Sequence, residues 1–154
     1  MQPFNQDLFA GGILYILKQF AYDMYIISID KSMICTCVSD IENKNPNLEC
    51  KKCLGTGYRI RIKKVKGANR TGKSSFRTYG VSENGTTNIF YFSGKYPIKE
   101  NDLIVENNNM YIVERCNKET GAENKVIYYR AEANPVKQYP TVRISNFNEI
   151  IGDK

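Results

Sequence analysis

Histidine and tryptophan are both absent from this chain of 154 residues. Without histidine, neither a Cys-His nucleophile pair nor a Ser-His-Asp triad can form, and no paired-carboxylate pattern stands out in their place. For the same reason, a metal site built on the cysteines must be all thiolate. Nothing in the sequence demands an enzyme, and we predict that the protein is not one.

Long apolar runs are missing as well. No segment approaches the roughly 18 consecutive apolar residues that span a bilayer. The N-terminus also lacks a charged region followed by an apolar core and a cleavage site. We therefore expect a soluble protein that is made in the cytosol and has no membrane partner. Because the cytosol keeps thiols reduced, metal binding is favoured over disulfide formation for clustered cysteines.

The basic character of the chain is local. The net charge is +6, but residues 51–77 contain ten Lys or Arg and no acidic residue. Of the 22 basic residues in the chain, 12 are therefore left outside this segment, where they are outnumbered by 16 acidic residues. The length fits one main domain over residues 1–154, and the 11 Tyr and 7 Phe favour β structure.

Four of the five cysteines lie in one short window, as Cys35-Thr-Cys37 and Cys50-Lys-Lys-Cys53. Thiols separated by one and by two residues can converge on one tetrahedral zinc ion. We predict a structural Zn²⁺ in a zinc-ribbon-like module inserted at residues 33–58, with Cys35, Cys37, Cys50 and Cys53 filling every ligand position. Two disulfides, or unrelated buried thiols, are the alternatives.

The residues around these cysteines fit the same prediction. Gly55 and Gly57 follow the second pair and suit a chain that must bend sharply around a metal, since glycine adopts positive φ at little cost. Lys51 and Lys52 are suitable cations to balance a negatively charged thiolate site. The fifth cysteine, Cys116, is most simply a small core side chain.

A basic segment follows the module. We predict that its cations form a strand face and a long loop at residues 66–86 that contact phosphates or an acidic protein surface. A solvated face is an equally open alternative. No helix-turn-helix, finger helix or stacking signature accompanies the segment, so sequence-specific recognition is not supported. The residues are Arg59, Arg61, Lys63, Lys64, Lys66, Arg70, Lys73 and Arg77.

Residues 67–74 match the phosphate-loop pattern G-x-x-x-x-G-K-[ST] letter for letter. That mechanism requires a buried strand before the loop and a helix after it. The preceding segment is half cationic and the following one is a poor helix former, so we predict that the match does not mark a nucleotide site.

The periodicity of apolar residues predicts a mainly β (α+β) protein: a small antiparallel β-barrel or meander with an N-terminal helix and the inserted module. A C-terminal extension at residues 134–154 is expected to contain one short strand and an exposed tail. The helix is predicted at residues 7–20, and the strands at 22–30, 58–63, 87–93, 102–106, 110–116, 125–132 and 141–145.

This order of parts resembles that of tailed-bacteriophage neck proteins, the stopper, head-completion and ring components below the portal. The resemblance is carried by residues 96–104, 109–114 and 128–133. In that family a small β-barrel carries a long loop into the central channel. The Cys-x-x-Cys-x-Gly-x-Gly piece also resembles the zinc repeat of DnaJ-type chaperones, but this chain has one repeat and not the expected four.

The phage resemblance implies a virion protein at the head–tail junction, present in the host cytoplasm during assembly. It implies a homo-oligomeric ring that uses apolar and edge-strand surface between copies, contacts the portal and the tail or adjoining neck proteins, and touches packaged DNA non-specifically. Such a ring completes the head, joins the tail or retains DNA. The competing interpretation is a zinc-ribbon nucleic-acid-binding module fused to a small barrel.

Overall fold

A computed structural model describes residues 17–38, 46–71 and 88–152, together with Gly12 and Tyr15. The fold is a closed antiparallel barrel with strand order β1-β2-β3-β6-β5-β4. This confirms the predicted fold class. The strands are β1 (Tyr22–Ile34), β2 (Tyr58–Thr71), β3 (Asn88–Ser93), β4 (Leu103–Glu106), β5 (Asn109–Thr120) and β6 (Val126–Pro135), with a short 3-10 helix at Ala122–Asn124.

An N-terminal helix precedes the barrel, since Gly12, Tyr15 and residues 17–20 are helical. The rest of the predicted helix at residues 7–20 lies outside the described residues. Within the described ranges, no helix is long and apolar enough to cross a membrane.

The barrel interior is filled by side chains that alternate along the strands. In β3, Phe90 and Phe92 are fully buried while their neighbours are half-buried, as expected for a strand with one face in a core. The inner cluster comprises Met24, Ile26, Val65, Phe90, Phe92, Ile98, Ile104, Val113, Ala131 and Ala133. Cys116 packs against this cluster and donates a hydrogen bond from its Sγ to the Ile98 carbonyl at 3.2 Å.

β2 is longer than the sequence indicated. The predicted strand ended at Lys63 and gave way to a loop at residue 66, but the strand continues to Thr71 because it pairs with β1 and then with β3. The first five residues of the phosphate-loop pattern, 67–71, are therefore extended backbone. A Cβ at Gly67 would approach Phe92 to 2.6 Å, so glycine permits the close packing of these two strands. Residues 72–86 of the predicted loop lie outside the described residues.

The predicted strand at residues 141–145 is wrong, because this segment belongs to a C-terminal helix at Pro140–Gly152. Over five residues the sequence alternates like a strand, whereas over the full segment Ile144, Phe147 and Ile151 recur at helical spacing. Pro140 stands in the first turn, where its missing N–H costs nothing. Burial of the apolar face against the barrel favours the helix.

This helix packs on the outside of the barrel over a second cluster. Met24 and Ile26 of β1 point inward, so the alternate residues Tyr25 and Ile27 point outward toward the helix. The Tyr25 and Phe147 rings meet edge to face, with their centroids 5.1 Å apart. The buried members of the outer cluster are Ile27, Leu54, Leu103, Val105, Met110, Val136 and Phe147.

The segment between β3 and β4, residues 94–102, crosses one end of the barrel and is called the crossing segment. Ile98 from this segment enters the inner cluster. Asp102, at its end, is 1% exposed and accepts hydrogen bonds from the backbone N–H groups of Lys99 at 3.0 Å and Ile29 at 3.4 Å. Burial raises the pKa of the Asp102 carboxyl despite these donors.

Candidate metal centre and the adjoining basic strand

The four clustered cysteines converge at one end of β1 and β2. All four Sγ atoms lie within 4.8 Å of one another. The Cys35–Cys50 sulfurs are 3.8 Å apart and the Cys37–Cys53 sulfurs 3.5 Å apart. A tetrahedron with metal–sulfur bonds of about 2.3 Å has sulfur–sulfur edges of about 3.8 Å, whereas a disulfide requires about 2.05 Å. The cysteines are therefore free thiols that lie close enough to bind a metal ion.

The register of β1 and β2 brings the two cysteine pairs together. Ile34 at the end of β1 pairs with Tyr58 at the start of β2, so the residues beyond them face each other. The Cys35 N–H donates to the Gly57 carbonyl at 2.9 Å, which continues the ladder into the module. The first pair thus extends directly from a strand of the barrel.

The second pair lies on a tight turn. The Leu54 N–H donates to the Cys50 carbonyl at 3.0 Å, and the Thr56 hydroxyl donates to the Cys53 carbonyl at 2.8 Å. Gly55 has φ +85°, a conformation that favours glycine, and a Cβ there would stand 2.9 Å from Arg143 Nε. Gly57 also has positive φ, at +81°. The expected role of both glycines in a sharp bend is confirmed.

The pKa values of the two thiols in the second pair, Cys50 and Cys53, are shifted in opposite directions. Burial opposes ionisation of Cys50, but the backbone N–H groups of Cys53 and Lys52 donate to its sulfur and the pKa falls to about 7. Burial raises the pKa of Cys53 to about 12. Because a metal binds thiolates, its binding must release protons from this cluster.

The C-terminal helix supplies a buried cation beside the cysteines. Arg143 is 8% exposed, and its Nε donates to the Leu54 carbonyl at 2.7 Å. Its guanidinium interacts electrostatically with Cys53, although removal from water lowers its pKa overall. Four thiolates around a divalent ion carry a net charge of about −2. Arg143 is therefore placed to balance that charge.

Two further contacts join this helix to the module. Asn146 donates from Nδ2 to the Glu49 carbonyl at 3.1 Å, and Lys51 forms an exposed ion pair with Glu149 at 3.0 Å. Lys51, expected as a cation for the cysteines, thus pairs with the helix. Lys52 contributes its backbone N–H to Cys50.

Sequence reasoning missed Arg143 because the segment was predicted to be a strand. As a helix, it places Arg143, Phe147 and Ile150 on one face at i, i+4 and i+7. A charged residue on an apolar helix face was the signal that could have found it.

The basic strand places its cations on both faces. In the register of β1 and β2, Arg59, Arg61 and Lys63 stand opposite Asp30, Ser28 and Ile26. These three cations therefore share one face of the sheet, the face that carries Val65 into the inner cluster. The intervening Ile60 and Ile62 pack with the outer cluster. Arg61 lies 4.0 Å from Asp30, and Lys63 Nζ lies 5.3 Å from the centroid of the Tyr96 ring.

The other predicted cations do not join that face. Lys64 and Lys66 lie on the outer face, opposite Tyr25 and Asp23, and Lys64 is 3.7 Å from the Asp23 carboxylate. The Arg70 backbone belongs to β2, but its side chain is outside the described part of the chain. Lys73 and Arg77 also lie outside the described residues.

No protein-family model matches this chain, and no curated protein sequence matches it either.

Proposed function

We propose that the protein is a structural component of a phage head–tail connector, located in the virion at the junction of portal and tail. The observation that carries the proposal is the order of parts in space. A small closed barrel follows an N-terminal helix, β1 leads into the cysteine module, and β2 returns as a cationic strand. This is the arrangement that the resemblance to neck proteins implies.

Exposed apolar side chains support contacts between copies. Large apolar residues exposed to solvent commonly mark protein interaction surfaces when they cluster. Met33 and Ile34, at the end of β1, are 48% and 43% exposed. Barrel closure leaves few strand edges free over the core, so most contacts in a ring would use side chains of this kind. Phe20, Ile112 and Tyr139 are further large apolar side chains that are exposed to solvent.

The metal proposed for the cysteine cluster is zinc. Four soft thiolates in tetrahedral spacing suit Zn²⁺, and four protein ligands leave no open position for water. Such a site is structural. In the described part of the module, at residues 33–38 and 46–58, the buried apolar side chains are Cys53 and Leu54, so a metal would supply much of the free energy that holds it folded. We expect close to one zinc per chain by elemental mass spectrometry of protein purified under reducing conditions.

Assembly is the direct test of the connector proposal. The protein would be mixed with the portal protein of the same phage, and the products examined by native mass spectrometry and electron microscopy. A ring of this chain on the portal is the expected outcome. A protein that stays monomeric and leaves the portal unoccupied would contradict the proposal.

A zinc-ribbon nucleic-acid-binding module is the second candidate. It is favoured by the shared face of Arg59, Arg61 and Lys63 directly after the module. Three phosphate contacts predict that log K falls with log salt with a slope of about −2.7. Salt-dependent binding of duplex DNA by the monomer with this slope, lost in Arg59→Gln/Lys63→Gln, would favour this candidate over the ring.

A further inference from the structure

β4 closes the barrel between β1 and β5, but it is much shorter than these two strands and leaves a gap beyond its N-terminal end. β4 has four residues, whereas its neighbours β1 and β5 have 13 and 12. β4 pairs with β1 only at residues 25–27 and with β5 only at residues 109–112. Beyond the N-terminal end of β4, the position between β1 and β5 must be occupied by another segment of chain or left open.

The chain before β4 fills this position for only two residues. The Asn101 N–H donates to the Val113 carbonyl, and the Val113 N–H donates to the Asp102 carbonyl, both at 2.9 Å. Asn101 then adopts φ +72° and the chain turns away. Among the described residues, the edge of β5 at 114–120 that faces the gap pairs with no strand, and its other edge pairs with β6.

An open cleft of about 460 Å³ lies at this gap. Its sides carry Lys31 from β1, Lys118 from β5, and Lys99 and Glu100 from the crossing segment. Cys116 and Tyr129 also line it. In the described part of the chain, none of the three lysines has a carboxylate within 4.0 Å. The cleft therefore combines a free strand edge with a local charge excess of about +2.

We infer that this cleft binds an extended acidic segment of a partner protein, added as a strand along the free edge of β5. The backbone of such a segment would pair with residues 114–120, and its carboxylates would face Lys31, Lys99 and Lys118. An extended peptide matches the repeat of N–H and C=O groups along a strand edge, whereas a nucleic acid would use only the lysines. The free edge of β5 therefore favours an acidic peptide over a nucleic acid.

The irregularity in β5 fits this arrangement. The register shifts between Val113 and Arg115, immediately after β5 leaves the crossing segment. A bulge increases local twist and commonly stands where strand pairing ends. Cys116 and Lys118 follow it at alternate positions, and both line the cleft. Binding in this cleft would involve a single subunit and would require neither the metal nor the ring.

The test uses the full chain and a labelled, end-blocked hexapeptide of alternating valine and glutamate. Binding is followed by fluorescence anisotropy, and backbone pairing by amide hydrogen exchange of residues 114–120. We expect saturable binding that slows exchange along this edge. We also expect a loss of about tenfold in Lys31→Gln/Lys118→Gln, since two solvent-exposed ion pairs are removed. The matched control is exposed Lys137→Gln, outside the cleft, which should leave binding unchanged.

A second peptide separates backbone pairing from charge. The same sequence with N-methyl groups on alternate residues keeps its carboxylates but loses donors along one edge, and we expect its binding to disappear. Equal affinity of the two peptides would overturn the inference. So would binding of a single-stranded oligonucleotide at least as tight and with the same lysine dependence, or the absence of saturable peptide binding up to about 1 mM, an affinity typical of very weak contacts.

Discussion

Replacing Arg143 tests how the C-terminal helix supports the cysteine module. Arg143→Met removes the guanidinium and its 2.7 Å hydrogen bond to the Leu54 carbonyl while retaining an unbranched side chain. Without metal, the main loss is a hydrogen bond to a carbonyl left buried, which costs about 1–3 kcal/mol. With zinc bound, the variant also leaves a thiolate site of net negative charge without its buried cation. Breaking a buried charge pair costs about 3–5 kcal/mol in total, with the lost hydrogen bond included.

The difference between these two costs is the coupling between Arg143 and the metal. It amounts to about 2 kcal/mol, which corresponds to a zinc affinity about 30-fold weaker. Urea unfolding with and without zinc measures both stabilities, and competition with a chromophoric chelator measures the affinity. Arg143→Lys keeps the charge but not the planar donor geometry, and is expected to retain part of the coupling.

Equal losses of stability with and without zinc would refute this reasoning, because they would show that Arg143 acts on the fold alone. The control is Glu149→Gln, on the same helix as Arg143, which breaks the exposed ion pair between Glu149 and Lys51 of the module. Exposed pairs contribute about 0–1 kcal/mol. This variant should therefore leave zinc affinity unchanged.

Three other substitutions test the turn and two buried polar groups. Gly55→Ala forces a side chain into φ +85° and toward Arg143, so we expect a loss of about 1–3 kcal/mol in urea unfolding. Tyr22→Phe removes the 2.6 Å hydrogen bond to the Glu106 carboxylate and should cost about 1–2 kcal/mol in the same assay. Burial raises the pKa of Asp102, so the native state binds its proton more tightly than the unfolded chain. Stability relative to Asp102→Asn should therefore fall as pH rises above the ordinary value of 3.8, measured by unfolding across a pH series.

The control for Gly55→Ala is Gly152→Ala, where an added Cβ meets nothing within 4 Å and which should therefore be neutral. An unchanged stability in Tyr22→Phe would mean that solvent replaces the lost donor, which the 9% exposure of Glu106 argues against. A wild-type stability that rises with pH relative to Asp102→Asn would show that the backbone donors outweigh burial.

The local parts of the structure were predictable because they depend on residues close in sequence. The spacing of Cys35, Cys37, Cys50 and Cys53 indicated a convergent thiol cluster, since ligands one or two residues apart share a turn. Aromatic and β-branched composition, together with alternation of apolar residues where it occurs, located six strands, because both are properties of a short stretch of chain.

Other parts were not predictable from local pattern. The stretch from Gly67 to Thr71 begins with glycine, is otherwise mostly polar, and was predicted to be part of a loop. It forms a strand because β1 and β3 satisfy its backbone and Phe92 packs against Gly67. The residues after Pro140 were predicted to be a strand but form a helix, because only a helix presents Ile144, Phe147 and Ile151 together to the outer face of the barrel.

The sequence by itself determined which four thiols meet, which segments alternate and where the basic residues concentrate, since all of these follow from spacing along the chain. Only the tertiary structure decided what stands beside them. Barrel closure divided the cations of β2 between two faces, the short β4 left a cleft between β1 and β5, and the helix brought Arg143 to Cys53 from 90 positions away in the sequence. Such contacts depend on packing between distant elements, which local periodicity does not encode.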